Sequence, residues 1–167
     1  TAANLDLSGT DKVTVFAGVT KLSDAALGAV AETSADSTAN NGAFWLLAPY
    51  TAGVNHYSSL SRGTASAIAV STAAADVAPD TAVLCARMNI AAPLNELRVD
   101  GAIAQAQAAT QGTGNFGSYV LYMGRRNNAT LPFNGREYGL IVVGAAQSAA
   151  VIQQAERWMA AKQGRTL

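Results

Sequence analysis

Residues 121–146, LYMGRRNNATLPFNGREYGLIVVGAA, decide how this chain is read, because they hold two strand patterns on either side of a turn-rich connection. Leu121 to Gly124 read as the end of one strand. Between Arg125 and Asn134 the chain carries Asn127, Asn128, Pro132 and Asn134, and Gly135 follows. These residues accept turn geometry through short polar side chains, a fixed φ or a missing Cβ. A second strand is expected over 136–143, with Arg136, Tyr138, Leu140 and Val142 on one side and Glu137, Gly139, Ile141 and Val143 on the other. The connection is expected to hold the two strands in register.

Beyond Gly144 a helix is expected from Ala149 to Gln163. Ser148 is a suitable N-cap and Gly164 a suitable C′ residue. Val151, Ile152, Ala155, Trp158, Met159 and Lys162 fall on one stripe that should dock on the rest of the fold, with Trp158 as a packing anchor. Upstream, Lys12–Leu22 alternates Val13, Val15, Ala17 and Val19 with Thr14, Phe16, Gly18 and Thr20, the signature of a strand between two environments. Leu27–Thr33 reads as another strand, 35–42 as a loop, and Ala43–Tyr50 with Asn55–Arg62 as a hairpin turning through Thr51–Val54. Thr64–Ala73 and Thr81–Ile90 supply two more strands. Glu96–Val99 and Ala102–Ala106 flank Asp100-Gly101, a pair that readily takes the positive φ angles of a two-residue type I′ turn. Alanine content alone would allow a helix over 104–109, but the glycine-rich loop 111–117 that follows favours the hairpin.

The chain has 167 residues, half of them apolar, which suits a single domain with a sizeable core, spanning 1–167. Eleven basic residues balance eleven acidic ones, so no partner held by bulk electrostatics, such as nucleic acid, is expected. No run nears the roughly 18 apolar residues of a membrane-spanning helix, and no membrane insertion is expected. Cys85 is the sole cysteine, so no internal disulfide can form, and it reads as a small buried hydrophobe. Thr1 opens the chain without a signal peptide, which suggests a piece of a longer protein.

Eight or more short strands and one terminal helix imply an all-β fold, a two-sheet antiparallel jelly-roll sandwich. The ordered series LDLSGTDKVTVFAGV, LRVDG, LYMGR and FNGREYGLIVVGAA, followed by a helix, resembles laminin G-like and concanavalin A-like lectin domains. There, an IGR…FNG segment forms the closing hairpin. The resemblance covers Leu5 to Gly164, and domains worded this way occur mostly in bacteriophage and prophage structural proteins, including tail-associated ones. It implies a virion location after synthesis in the bacterial cytoplasm, other virion proteins as partners, and a glycan ligand. One departure stands out: such domains usually begin with a strand carrying FDG…D, and nothing here precedes Thr1. A neighbouring subunit or domain is one way to cover that edge, so a homo-oligomer is among the expected partners.

Three chemistries compete for these residues. A glycosidase needs two carboxylates across a cleft, which related glucanases carry as Glu-x-Asp-x-x-Glu, whereas Glu32, Glu96, Glu137 and Glu156 are scattered and Asp100 belongs to its turn. His56, the one histidine, would have to carry any Ser/His/Asp chemistry, and reads instead as a hydrogen-bonded or exposed side chain. Non-enzymatic action is expected. Calcium would need Asp36 with Asn40 and Asn41, or Asp76 with Asp80, and no cofactor is expected. Sugar binding fits the inventory best, through an aromatic face and planar amide or guanidinium donors. The ligand candidates are Tyr50, His56 and Tyr57 around one hairpin, Asn115 and Tyr119 around the glycine-rich loop, and Arg125, Arg126, Asn127 and Asn128 in the opening segment. Against that stand structural roles: Tyr119 and Tyr122 as sheet packing, Arg125 as a bridge between loop carbonyls, Trp45 as core, and the whole domain as a decoration or spacer.

Overall fold

The computed structural model describes residues 4–71, 76–127 and 129–167, so Asn128 and the Thr72–Ala73 end of one expected strand lie outside the described residues. The strands run in chain order: β1 Asn4–Asp6, β2 Lys12–Lys21, β3 Ala29–Thr33, β4 Phe44–Leu47, β5 Ser58–Arg62 and β6 Ser66–Val70. There follow β7 Asp80–Asn89, β8 Leu94–Val99, β9 Ala102–Gln107, β10 Ser118–Met123 and β11 Gly135–Val143, then α1 Ala149–Lys162. Every pairing between them is antiparallel. Six strands form one sheet in the order β1-β10-β3-β4-β5-β6, and five form the other in the order β11-β2-β7-β8-β9. This is the expected two-sheet jelly roll with one C-terminal helix.

Alternation along β2 sets the layers. Val13, Val15, Ala17 and Val19 lie opposite Met88, Ala86, Leu84 and Ala82 of β7. All eight join Phe44, Leu46, Leu97 and Phe116 in the core between the sheets. Phe16 points the other way, into a smaller cluster with Val83, Cys85, Ile152, Met159 and Ala160 beneath α1. Gly18 and Gly139 face each other across β2 and β11, and an added Cβ at either would meet the Met159 sulfur at 3.6 and 3.1 Å. The missing side chains therefore form the dent that Met159 fills. Cys85 is fully buried there, and burial pushes its thiol pKa far up. The Asp100-Gly101 turn has φ of 47° and 81°, the left-handed pair that a type I′ turn requires.

Three expectations need correction. The strands that flank the opening segment do not pair: β10 lies between β1 and β3, whereas β11 pairs with β2 in the opposite sheet. Their connection is long enough to cross the ~10 Å between packed sheets. It docks Leu131 on the outer face of the six-stranded sheet and Phe133 against the main core on the way.

The alternation of β11 is also broken, by a bulge between Glu137 and Gly139. Glu137 thus opposes Val19 and shares the inward face with Leu140 and Val142, which oppose Ala17 and Val15.

Lastly, α1 is rotated from the expected stripe. Ile152, Glu156, Met159 and Ala160 are its buried residues, while Val151 is 43% and Trp158 48% exposed. Glu156 is drawn inward by Arg98, whose Nε donates to it at 2.7 Å. Trp158 is left at the rim with the Lys162 ammonium 4.9 Å from its ring centre, so it is not the anchor.

Candidate functional site

α1 covers part of the outer face of the five-stranded sheet, with clefts beside it lined by Gln153, Glu156 and Arg157 and by Ile141, Gln154 and Trp158, and the outer face of the six-stranded sheet carries the loop residues named from the sequence. Cross-strand partners share a face, and the register places Tyr122, Glu32, Trp45, Leu60 and Ile68 in one row across β10, β3, β4, β5 and β6. Trp45 and Leu60 are buried in a cluster with Ala29 and Leu47, roofed by Leu27, Tyr50, Ile68 and Leu131. Tyr122 and Tyr50 remain partly exposed.

Arg126 closes this row from above. Its Nε donates to the two Glu32 oxygens at 3.0 and 2.8 Å, and its guanidinium carbon lies 5.6 Å from the Trp45 ring centre. Glu32 also accepts from the backbone N–H and hydroxyl of Ser37 at 2.8 and 2.6 Å, so this fully buried carboxylate is well compensated. Asp36 stands 3.6 Å from Nη1 of Arg126, and a hydrogen bond from the Thr38 hydroxyl holds its carboxyl below the usual range. The loop is thereby pinned to the sheet, and Arg125 and Asn127 beside it are exposed.

The nominated residues divide among separate places. Tyr50 and His56 meet at one end of the six-stranded sheet, where the Tyr50 N–H donates to the His56 carbonyl at 2.7 Å. Arg126 and Asn127 overlie the middle of that face. Asn115 and Tyr119 lie toward the opposite end and are held internally, Asn115 by donating to the Ser8 carbonyl at 2.8 Å and Tyr119 to the Asn41 carbonyl at 2.7 Å.

Tyr57 must be withdrawn as a ligand contact. It is completely buried, its hydroxyl donates to Asp80 at 2.6 Å, and burial followed by that carboxylate raises its pKa strongly. Tyr122 and the Glu32–Arg126 pair are the site features that the sequence concealed. Glu32 and Arg126 are 94 residues apart, and no local pattern joins them.

Four carboxylates are held in ion pairs with arginines. Glu32 pairs with Arg126, Glu96 with Arg87, Glu156 with Arg98 and Asp100 with Arg165, at 2.7 to 3.0 Å. Glu137 faces the interior beside Gly124, and burial pushes its carboxyl up to about 7.

At the C-terminal end of β2, the buried Lys21 ammonium takes a position that a cation would suit. It lies 2.6 Å from each of the Asn55 carbonyl, the Asp76 carbonyl and an Asp24 carboxylate oxygen, and 4.8 Å from the Tyr57 ring centre. Asp76 accepts from Ser71 at 2.5 Å, and its carboxyl is raised by burial. Among the described residues no three His, Cys, Asp or Glu side chains converge as metal ligands.

Neither the family models nor the curated protein sequences contain a match to this chain. Solved structures do match. The CBM40 module of Ruminococcus gnavus IT-sialidase aligns over 90% of this chain and 92% of its own, with a TM-score of 0.61 and 16% identity. What is shared is the two-sheet jelly-roll fold, which fits the laminin G-like and concanavalin A-like expectation. That module has also been solved bound to alpha2,3 and alpha2,6 sialyllactose. The binding domain of Botulinum neurotoxin DC, in complex with SialylT, aligns over 91% of this chain and 36% of its own, with a TM-score of 0.65 and 5% identity. Domains LG4-5 of the mouse laminin alpha1 chain align over 84% of this chain and 38% of theirs, with a TM-score of 0.59 and 13% identity. These identities carry the architecture, and the chemistry rests on this chain's own residues.

Proposed function

We propose that this domain is a non-enzymatic glycan-binding module whose contact surface is the outer side of β10 at Tyr122 together with the Arg125–Asn127 loop that lies over β3 and β4. The observation that carries the reading is the placement of a partly exposed tyrosine, Tyr122, opposite the glutamate that pins the Arg126 guanidinium, on the face that α1 does not cover. A partly exposed aromatic ring can stack on the apolar side of a pyranose. Arg125, Arg126 and Asn127 supply planar donors for hydroxyl or carboxylate oxygens. Sialylated glycans are the first class to test, because carbohydrate-binding neighbours of this fold are described with them. The non-enzymatic reading is supported by the ion pairing of Glu32, Glu96 and Glu156, which leaves Glu137, its carboxyl raised by burial to about 7, without a second unpaired glutamate to face it. We further place the module on a phage virion, associated with the tail and in contact with a host-surface glycan. That placement rests on the resemblance of its LRVDG and FNGREYGLIVVGAA segments to phage structural proteins.

A second reading, a structural spacer that contacts only neighbouring virion proteins, is favoured by the internal bonds that hold Tyr57, Asn115 and Tyr119. A glycan array followed by titration of the best sugar separates the two. Binding that weakens at least tenfold in Tyr122→Ala supports the lectin reading. No binding at roughly millimolar sugar, where weak modules still register, supports the spacer. Release of new reducing ends from host polysaccharide would overturn both.

A further inference from the structure

We propose that the outer edge of β9 is a self-association edge, at which two copies of this chain join their five-stranded sheets into one continuous sheet. β9 ends its sheet, and among the described residues only β8 pairs with it. Its sequence, Ala102–Gln107 or AIAQAQ, has no charge and no proline, and Ile103 is 57% exposed. Charged side chains, prolines and bulges are the usual means of keeping an edge strand from pairing with another chain, and of these β9 has only the irregularity at Ala104. β6, the edge of the other sheet on the same flank, reads SAIAV and is equally free of charge. The opposite flank differs, because β1 carries Asp6 and β11 carries Arg136 and Glu137. The two flanks are therefore unequal in the property that controls edge pairing.

The occupant we assign to this edge is a second copy, because the strand is complementary to itself. Pairing with β8 sets Ile103 and Ala106 on the face of Arg98 and Glu96, and Ala102, Gln105 and Gln107 on the face of Val99, Leu97 and Asn95. In an antiparallel two-fold register that places Ile103 opposite Ala106 of the second copy, Ala102 meets Gln107 and like faces coincide. The Ile103–Ala106 contact then occurs twice about the axis. The formal charge of the chain is zero, so two copies approach without net repulsion. The irregularity between Leu97 and Arg98 bends the edge locally and limits how many backbone bonds can form. A strand pair of this length buries less than the ~1,000 Å² of a tight complex, so the association is weak and reversible. It leaves the outer side of both six-stranded sheets uncovered by the second copy, and two sites would then act on one surface.

Sedimentation of the 167-residue chain from roughly 10 μM to 1 mM, the range suited to a weak interface, tests this. The expected result is a dimer that grows with concentration, together with slower amide exchange over 102–107. The dimer should weaken at least about tenfold in Ile103→Lys and further in the double variant with Ala106→Lys, where like charges face each other. Unchanged thermal melting of the variants confirms that they fold. A strict monomer at 1 mM, or a dimer indifferent to both substitutions, overturns the proposal. Neither result bears on sugar binding, which is read from the other sheet.

Discussion

The two outer faces of this sandwich are closed in different ways. On the five-stranded sheet, α1 lays Ile152, Met159 and Ala160 onto Phe16, Val83 and Cys85, an apolar seal with one ion pair, Arg98–Glu156, at its margin. On the six-stranded sheet, a loop arginine lies over a tryptophan and is held by a buried glutamate. A helix seal is non-directional and fills its space, whereas a pinned arginine stiffens a loop and leaves polar groups at the surface. The tryptophans mark the contrast. Trp45 is 6% exposed beneath Arg126, and Trp158 is 48% exposed at the edge of the helix.

Substitutions that attack each face should sharpen that contrast. Phe16→Ala removes the centre of the helix seal and should cost about 3–5 kcal/mol in chemical denaturation, with no change in sugar affinity where the protein remains folded. Arg126→Ala strands the buried Glu32 and should cost about 2–4 kcal/mol while also weakening the sugar contact, and Arg126→Lys should recover only part of both.

A third test concerns pH. Glu137 titrates near 7 in the folded chain against a usual 4.5, so the folded state holds its proton more tightly. The burial penalty is absent below about pH 4.5, grows as pH rises and is complete above about pH 7. Glu137→Gln should therefore stabilise the protein at pH 8 by about 1–2 kcal/mol after solvent screening is allowed for, and flatten its stability between pH 5 and 8. Trp158→Ala should have the smallest effect, about 1 kcal/mol or less, because the ring is half exposed. A loss as large as that of Phe16→Ala would mean that α1 docks through the stripe first read from its sequence.

Much of the architecture was legible because its signals are local. The alternation in β2, the Asp-Gly turn and the Ser148 and Gly164 helix ends all rest on residues within a few positions of one another. What was not legible depends on distant partners. The bulge in β11 inverts the facing of Glu137 relative to a simple count, and nothing in GREYGLIVV announces it. The rotation of α1 depends on Arg98, 58 residues before Glu156. The same limit applied to the candidate site. Tyr57 directly precedes β5 and Tyr122 lies near the end of β10, yet one lies in the core on Asp80 and the other stays partly exposed on an outer face. Only the tertiary packing distinguishes them.

The chain holds two tryptophans, one per outer face, so their indole N–H resonances report the two faces separately. Titrating isotope-labelled protein with sialyllactose to roughly 10 mM, enough to populate a millimolar site, gives the most direct measurement. The account predicts shifts at the Trp45 indole, Tyr122 and residues 125–127, with Trp158 unchanged. Shifts confined to Trp158 and α1, or no shifts for sialyllactose and for every sugar of the array, would contradict it.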